Sequence, residues 1–150
     1  MKPRYTKKKR SKSPLKKAKD KAWTQFSKYI RRRDANKYGV VTCVTCRRMG
    51  EWKNMQAGHF LDGRNNSILF DERGCHAQDM YCNYYGGGRG ANVKEAYHAY
   101  MKKRYGQKVI DELIALKNTT VKYTIEDYAE IEAKYTDLLV GLDMRDIGRR

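Results

Sequence analysis

The chain has 150 residues, 33 of them Lys or Arg and 17 Asp or Glu, which gives a net charge of +16 with histidine neutral. That length is one domain's worth of chain and can bury a core. No run of about 18 apolar residues is present to span a membrane, and the basic N-terminus lacks the apolar stretch of a secretory signal. Four Cys are too few for a disulfide scaffold, so reduced thiols and metal ligation are expected instead. A compact domain carrying +16 repels itself, so the charge sits on a solvated tail or meets a polyanion.

Residues 1–21 hold 11 basic residues and one Asp. With Ser13-Pro14 and no apolar periodicity, residues 1–20 are expected to be a disordered basic arm. In it Lys7, Lys8, Lys9 and Arg10 would attract phosphates without reading sequence. A helix is predicted from Asp20, its cap, because Ala22, Trp23, Phe26, Tyr29, Ile30 and Arg33 fall at helical spacing. Its exposed face carries Lys28, Arg31 and Arg32, the last two being further candidate phosphate contacts. Three strand-like segments follow, Gly39–Thr42, Gln56–Leu61 and Ser67–Phe70, the last two separated by the polar loop 62–66.

The rest reads as helical, with no internal repeat. Asn92 can cap a helix, with Glu95 three residues on. Val93, Ala96, Tyr97, Tyr100 and Met101 form its stripe, and Gly106 ends it. Val109, Leu113 and Leu116 mark a second helix. Thr124 caps a third, bearing Tyr128, Ile131, Tyr135, Leu138 and Leu142, whose spacing suits packing on another helix. The expected organisation is α+β, with a domain over 21–120 and a helical extension over 121–150 that is a candidate homodimer surface.

Cys43-Val44-Thr45-Cys46 is a C-x2-C knuckle, the form that structural zinc prefers. Cys75 and Cys82 are the remaining thiols, spaced irregularly, with Asp79 three residues before Cys82. A zinc site of Cys43, Cys46 and Cys82 is expected, with Cys75 or Asp79 as the fourth ligand; the plainer reading is four buried thiols. Of the three histidines, His98 falls off its helix's apolar stripe and reads as a surface residue. His59 ends a strand-like segment between the cysteine pairs, His76 adjoins Cys75, and Asn83 follows Cys82.

This arrangement resembles the HNH, or ββα-metal, nuclease core in its zinc-containing branch. More closely it resembles the lambdoid-phage NinG (Rap) recombination proteins over roughly residues 22–120. The carrying motifs are Cys43-Val44-Thr45-Cys46, Gln56-Ala57-Gly58-His59-Phe60, Phe70-Asp71-Glu72-Arg73, His76-Ala77-Gln78 and Cys82-Asn83. Two positions depart from that pattern: Asp79 stands where the family has a Cys, and Gly74 where it has an Asn, beside Cys75. Many HNH sites also have an Asp before the catalytic His, where this chain has Gly58.

The resemblance implies a zinc-stapled ββα core flanked by helices. It implies a structure-specific endonuclease that cleaves branched DNA, such as Holliday junctions and D-loops, in the cytoplasm of a phage-infected host. His59 is the candidate general base, and Asn83 the candidate ligand of a catalytic Mg²⁺ or Mn²⁺. His76 is the candidate second ligand, with Asp62 and Asp71 as weaker ones. Arg64 or Arg73 could clamp a phosphate oxygen, and Tyr84, Tyr85 and Arg89 could stack on unpaired bases. The alternatives are a non-catalytic zinc-containing DNA-binding accessory protein and, more remotely, an RNA-binding protein of the translation machinery.

Overall fold

A computed structural model describes residues 11–86 and 92–147. Lys7, Lys8, Lys9, Arg10 and Arg89 lie outside the described residues. The first helix, α1, spans Pro14–Arg33 and so begins six residues before Asp20. Ser13 caps it by accepting the Lys16 N–H at 3.3 Å, and Pro14 sits in the first turn, where its missing N–H has no partner to lose. The segment 14–20, expected to belong to the unstructured arm, is therefore helix. Leu15, Lys16, Lys17, Ala18 and Lys19 are strong helix formers, and a solvated turn needs no apolar stripe. Asp20 is an interior residue of α1 that reaches Lys12 and Lys16 rather than a cap.

Two small antiparallel sheets follow. Strand β1, Val40–Thr42, pairs with β2, Met49–Glu51, and β3, Gln56–His59, pairs with β4, Cys75–Gln78. The second register sets Gln56 opposite Gln78, Gly58 opposite His76 and His59 opposite Cys75. The expected strand at Ser67–Phe70 is instead helix α2, Asn66–Leu69, whose first turn closes on the Asn65 carbonyl. Ile68 and Leu69 are both buried there, and a short apolar run carries no period to separate strand from helix. The real partner of β3 is β4, every residue of which is buried, so it shows no alternation.

Helix α3, Met80–Tyr85, follows β4 at once, so β3, β4 and α3 run in the order ββα. Asp79 caps it, accepting the Tyr81 N–H at 2.8 Å, and Gly86 ends it at φ +66°. Helix α4, Val93–Tyr105, has its expected Asn92 cap and ends at Gly106, where φ is +83°. Helix α5 is Gln107–Lys117 and α6 is Ile125–Ile147. Thr124 and Asp127 exchange side-chain bonds to each other's N–H at the start of α6, as the sequence leads one to expect. The described chain is α+β, mostly helical, and none of its helices is long and apolar enough to cross a membrane.

The main core forms where α1 packs along α6 and over β3 and β4. Phe26, Ile30, Ala57, Cys75 and Tyr135 are buried together, with Trp23, Tyr29, Phe70 and Ile131 against them. Phe26 meets Tyr135 and Phe70 edge-on at 4.9 and 5.5 Å. Of the Tyr128–Leu142 stripe, Tyr128 and Tyr135 are buried where α6 packs along α1, while Leu138 is exposed. A second core joins Val44 to Tyr97, Met101, Ile110 and Leu113, docking α4 and α5. A third joins Val41, Met55 and Ala77, tying the two sheets together.

Arg32, expected on the exposed face of α1, is buried. Its Nε donates to Asp143 at 2.9 Å and its Nη2 to Asp146, both on α6. The apolar stripe of α1 alone did not reveal that α6 covers this flank. Arg32 therefore joins two helices and is not a phosphate contact.

Candidate functional site

The C-x2-C turn leaves β1 with Cys43 buried, and α3 returns Cys82 to it. The sulfurs of Cys43, Cys46 and Cys82 lie within 4.8 Å of one another. Tetrahedral zinc–thiolate bonds set sulfurs ~3.8 Å apart, so these three can close on a metal such as zinc with small rotations. Burial opposes ionisation of Cys43, but the Asp79 N–H at 3.2 Å and the Thr45 hydroxyl at 3.3 Å outweigh it and hold its pKa below the ordinary value. Burial and the neighbouring cysteines push Cys82 up to about 11. Three crowded sulfurs of this kind are relieved by a cation.

Neither proposed fourth ligand joins them. Cys75 is fully buried in the main core, beside Phe26 and Ile30, and burial drives its thiol far above the usual range. Asp79 lies outside the sulfur cluster, its carboxylate drawn to the Tyr81 N–H and to Arg48 at 3.7 Å. As a cap it serves the helix that carries Cys82.

His59 ends β3, and its Nε2 lies 3.0 Å from the Leu69 carbonyl oxygen. Its ring stacks on Trp23 at 5.3 Å, and the Arg64 guanidinium lies 4.4 Å from the Trp23 ring centre. Burial, with help from the charge of Arg64, pulls the His59 pKa below its ordinary value, so the ring is neutral at pH 7. A carbonyl can only accept, which places the proton on Nε2 and leaves Nδ1 with a free lone pair.

Asn83 is exposed on α3 and donates from Nδ2 to Gln56 Oε1 at 2.7 Å. His59 and Asn83 border one cleft of about 380 Å³, together with Asp62, Gln78, Lys94 and Tyr97. Asn83 also borders a second cleft of about 470 Å³, lined by Trp23, Arg31, Lys53, Gln56 and Arg64. Between them, buried Gly58 has no side chain, and a Cβ there would stand 2.0 Å from Gln78 Oε1 and 2.9 Å from Asn83 Oδ1. A Cβ at 58 would force the Gln78 and Asn83 carboxamides to move. The buried Tyr97 hydroxyl holds that strand end by donating to the Gly58 carbonyl at 2.7 Å.

His76 does not join this site. It is 3% exposed and faces Asp34, Arg33, Tyr100, Tyr105 and the Arg73 carbonyl, all within 3.4 Å. It borders a different cleft of about 490 Å³. With both ring nitrogens partnered there, it is a buried structural histidine and not a metal ligand beside Asn83. Arg73 is held by Asp71 at 2.9 Å and Glu112 at 2.8 Å, which occupies both it and Asp71 structurally. Asp62 is exposed at the cleft edge and pairs with Lys94. Arg31 donates from Nη1 to the Lys53 and Met55 carbonyls, linking α1 to the turn before β3. Tyr84 and Tyr85 are exposed just past Asn83, with rings 4.9 Å apart, and His98 is on the surface as expected.

Trp23, Gln56 and Gln78 are site residues that sequence reasoning passed over. Trp23 read as a plain apolar-stripe residue. The two glutamines stood inside quoted motifs, and only the strand register shows that they face each other.

The comparisons agree with this reading of the motifs. The family described as Bacteriophage Lambda NinG protein matches residues 2–144. Proteins named ninG from Escherichia phage 933W and Enterobacteria phage VT2-Sa are each 29% identical over 117 residues, covering 76% of this chain and 52% of theirs. The chain thus spans about half the length of these curated relatives. No solved structure matches it significantly. The matched span takes in the cysteine cluster, His59 and Asn83, and on that ground the chain belongs to the phage NinG family.

Proposed function

We propose that the protein is a metal-dependent endonuclease that hydrolyses phosphodiester bonds in branched DNA recombination intermediates, Holliday junctions and D-loops among them. One observation carries the proposal: a half-buried, neutral His59 with a free Nδ1 borders the same cleft as Asn83. The neutral ring accepts a proton from the attacking water at Nδ1, while the Leu69 carbonyl and the Trp23 ring keep it from turning. Asn83 Oδ1 would hold Mg²⁺ or Mn²⁺, which would supply Lewis acidity at the scissile phosphate. Arg64, exposed above Trp23, is placed to meet a non-bridging phosphate oxygen.

Cys43, Cys46 and Cys82 hold a structural zinc that fixes the C-x2-C turn to α3, and so sets Asn83 against β3. The basic cleft of Arg31, Lys53 and Arg64 takes the DNA backbone, and the exposed Tyr84 and Tyr85 offer faces to unpaired bases.

The test is cleavage of a four-way junction against a matched linear duplex with Mg²⁺. Junction cutting that vanishes in His59→Ala with binding retained is expected. Junction binding without cutting by the unmodified chain would favour the non-catalytic accessory reading instead.

A further inference from the structure

Two carboxamides beside Gly58 are aligned by separate hydrogen-bond chains, and both turn oxygen to the same point. The Thr45 hydroxyl lies 3.3 Å from Cys43 Sγ and 3.3 Å from Gln78 Nε2. The Gln78 amide nitrogen can only donate, so the Thr45 oxygen receives its N–H. Gln78 Oε1 is thereby turned away from the cysteines. Asn83 is oriented in the same way, because its Nδ2 donates to Gln56 Oε1 at 2.7 Å and its Oδ1 faces the opposite side. Both oxygens lie within 2.9 Å of the point where a Cβ of residue 58 would stand.

Gln78 is 3% exposed, and among the described residues no donor reaches its Oε1. Its Oε1 is not sealed from solvent, since among the described residues Ser67 Oγ is the buried side-chain polar atom without a partner, so the Gln78 oxygen opens on the cleft that Asn83 also lines. Amide oxygens are ordinary ligands of hard divalent ions. The cleft admits such an ion, since both residues line it.

We propose that Gln78 Oε1 and Asn83 Oδ1 together bind the divalent cation, Gln78 providing the second protein ligand. The proposal deepens the nuclease reading and rests on it for the cation's use in catalysis. Two neutral oxygens hold Mg²⁺ weakly, so the DNA phosphate completes the site, and the ion is retained chiefly with substrate. The Thr45 hydroxyl also links the two centres, lying against both Cys43 Sγ and Gln78 Nε2.

The test is Mn²⁺ titration of ¹⁵N-labelled, zinc-loaded full-length protein, read as paramagnetic broadening of assigned NMR signals. The same spectra establish that each variant is folded. In the unmodified chain the signals of Gly58, Gln78 and Asn83 should broaden first. Gln78→Ala should require roughly tenfold more Mn²⁺ or above, and Gln78→Glu, which adds a charge, roughly tenfold less. Broadening centred elsewhere, or equal midpoints in all three proteins, overturns the proposal. Junction cleavage separates it from the reading beneath it. Mn²⁺ binding that depends on Gln78 in a protein that cuts no junction upholds the site and removes the nuclease. Full cutting by Gln78→Ala keeps the nuclease and removes Gln78 from the site.

Discussion

The Nε2 of His59 donates to the carbonyl of Leu69 at 3.0 Å, so the tautomer of the ring is set by the backbone of α2. Replacing His59 with Ala is expected to lower junction cleavage by roughly 10²–10⁴-fold while binding stays within about twofold. Burial lowers its pKa from 6.5, so the acid limb of the cleavage–pH profile should lie below 6.5. The sign is that of a base, active when unprotonated and lost on acidification. A limb above that value, or none, would remove His59 from the role.

Trp23 carries both His59 and Arg64 on its ring. Trp23→Ala should destabilise the fold by ~2–4 kcal/mol and loosen the base, whereas Trp23→Phe keeps a stacking face and most of the activity. Thermal unfolding and cleavage measured side by side check this. Equal activity in the two variants would show the stack to be incidental.

Arg32 is buried between Asp143 and Asp146. Arg32→Ala removes the shared partner of two partly exposed carboxylates and should cost about 1–2 kcal/mol, with faster hydrogen exchange in the last turns of α6. Its DNA affinity at a temperature where the variant is folded should be unchanged. A drop in the salt slope of binding would instead put Arg32 on the DNA.

One zinc per chain is expected by elemental analysis, lost in Cys43→Ser and Cys82→Ser and kept in Cys75→Ala. Chelation should lower the unfolding temperature. Asp79→Cys adds a fourth thiolate at the cap, where the backbone already meets Cys43, and should make zinc harder to strip with chelator. Zinc lost from Cys75→Ala would contradict the placement of Cys75 in the core.

Asp34 ties the end of α1 to β4, accepting the Ala77 N–H at 2.8 Å. Burial opposes its charge, but His76 and Arg33 prevail and hold its pKa below 3.8. Its contribution to stability is thus full above 3.8 and lost as pH falls through the lowered value. Asp34→Asn should cost about 1–3 kcal/mol at pH 7 and flatten the acid limb of the stability curve, measured by denaturant unfolding.

Much of this molecule is local and was legible from residue order. Asn92, Gly106 and Thr124 mark helix ends because caps act within one turn. The C-x2-C turn was legible by spacing, and the resemblance to the NinG proteins singled out His59 and Asn83. Misreadings came where the deciding partner is far along the chain. Ser67–Phe70 is helical because β3 finds its partner at Cys75–Gln78, Cys75 stays out of the cysteine cluster because α1 and α6 enclose it, and Arg32 turns inward because α6 brings two carboxylates. His76 and Gln78 show the same rule within one strand. Alternate residues of a fully buried strand meet different neighbours, and only packing decides that one is held among Arg33, Asp34 and two tyrosines while the other faces the cleft with Asn83. Sequence alone determined which chemical groups the protein owns and where α4 and α6 begin. Tertiary structure decided which groups meet, because burial and hydrogen bonding are settled by partners that are distant in the chain.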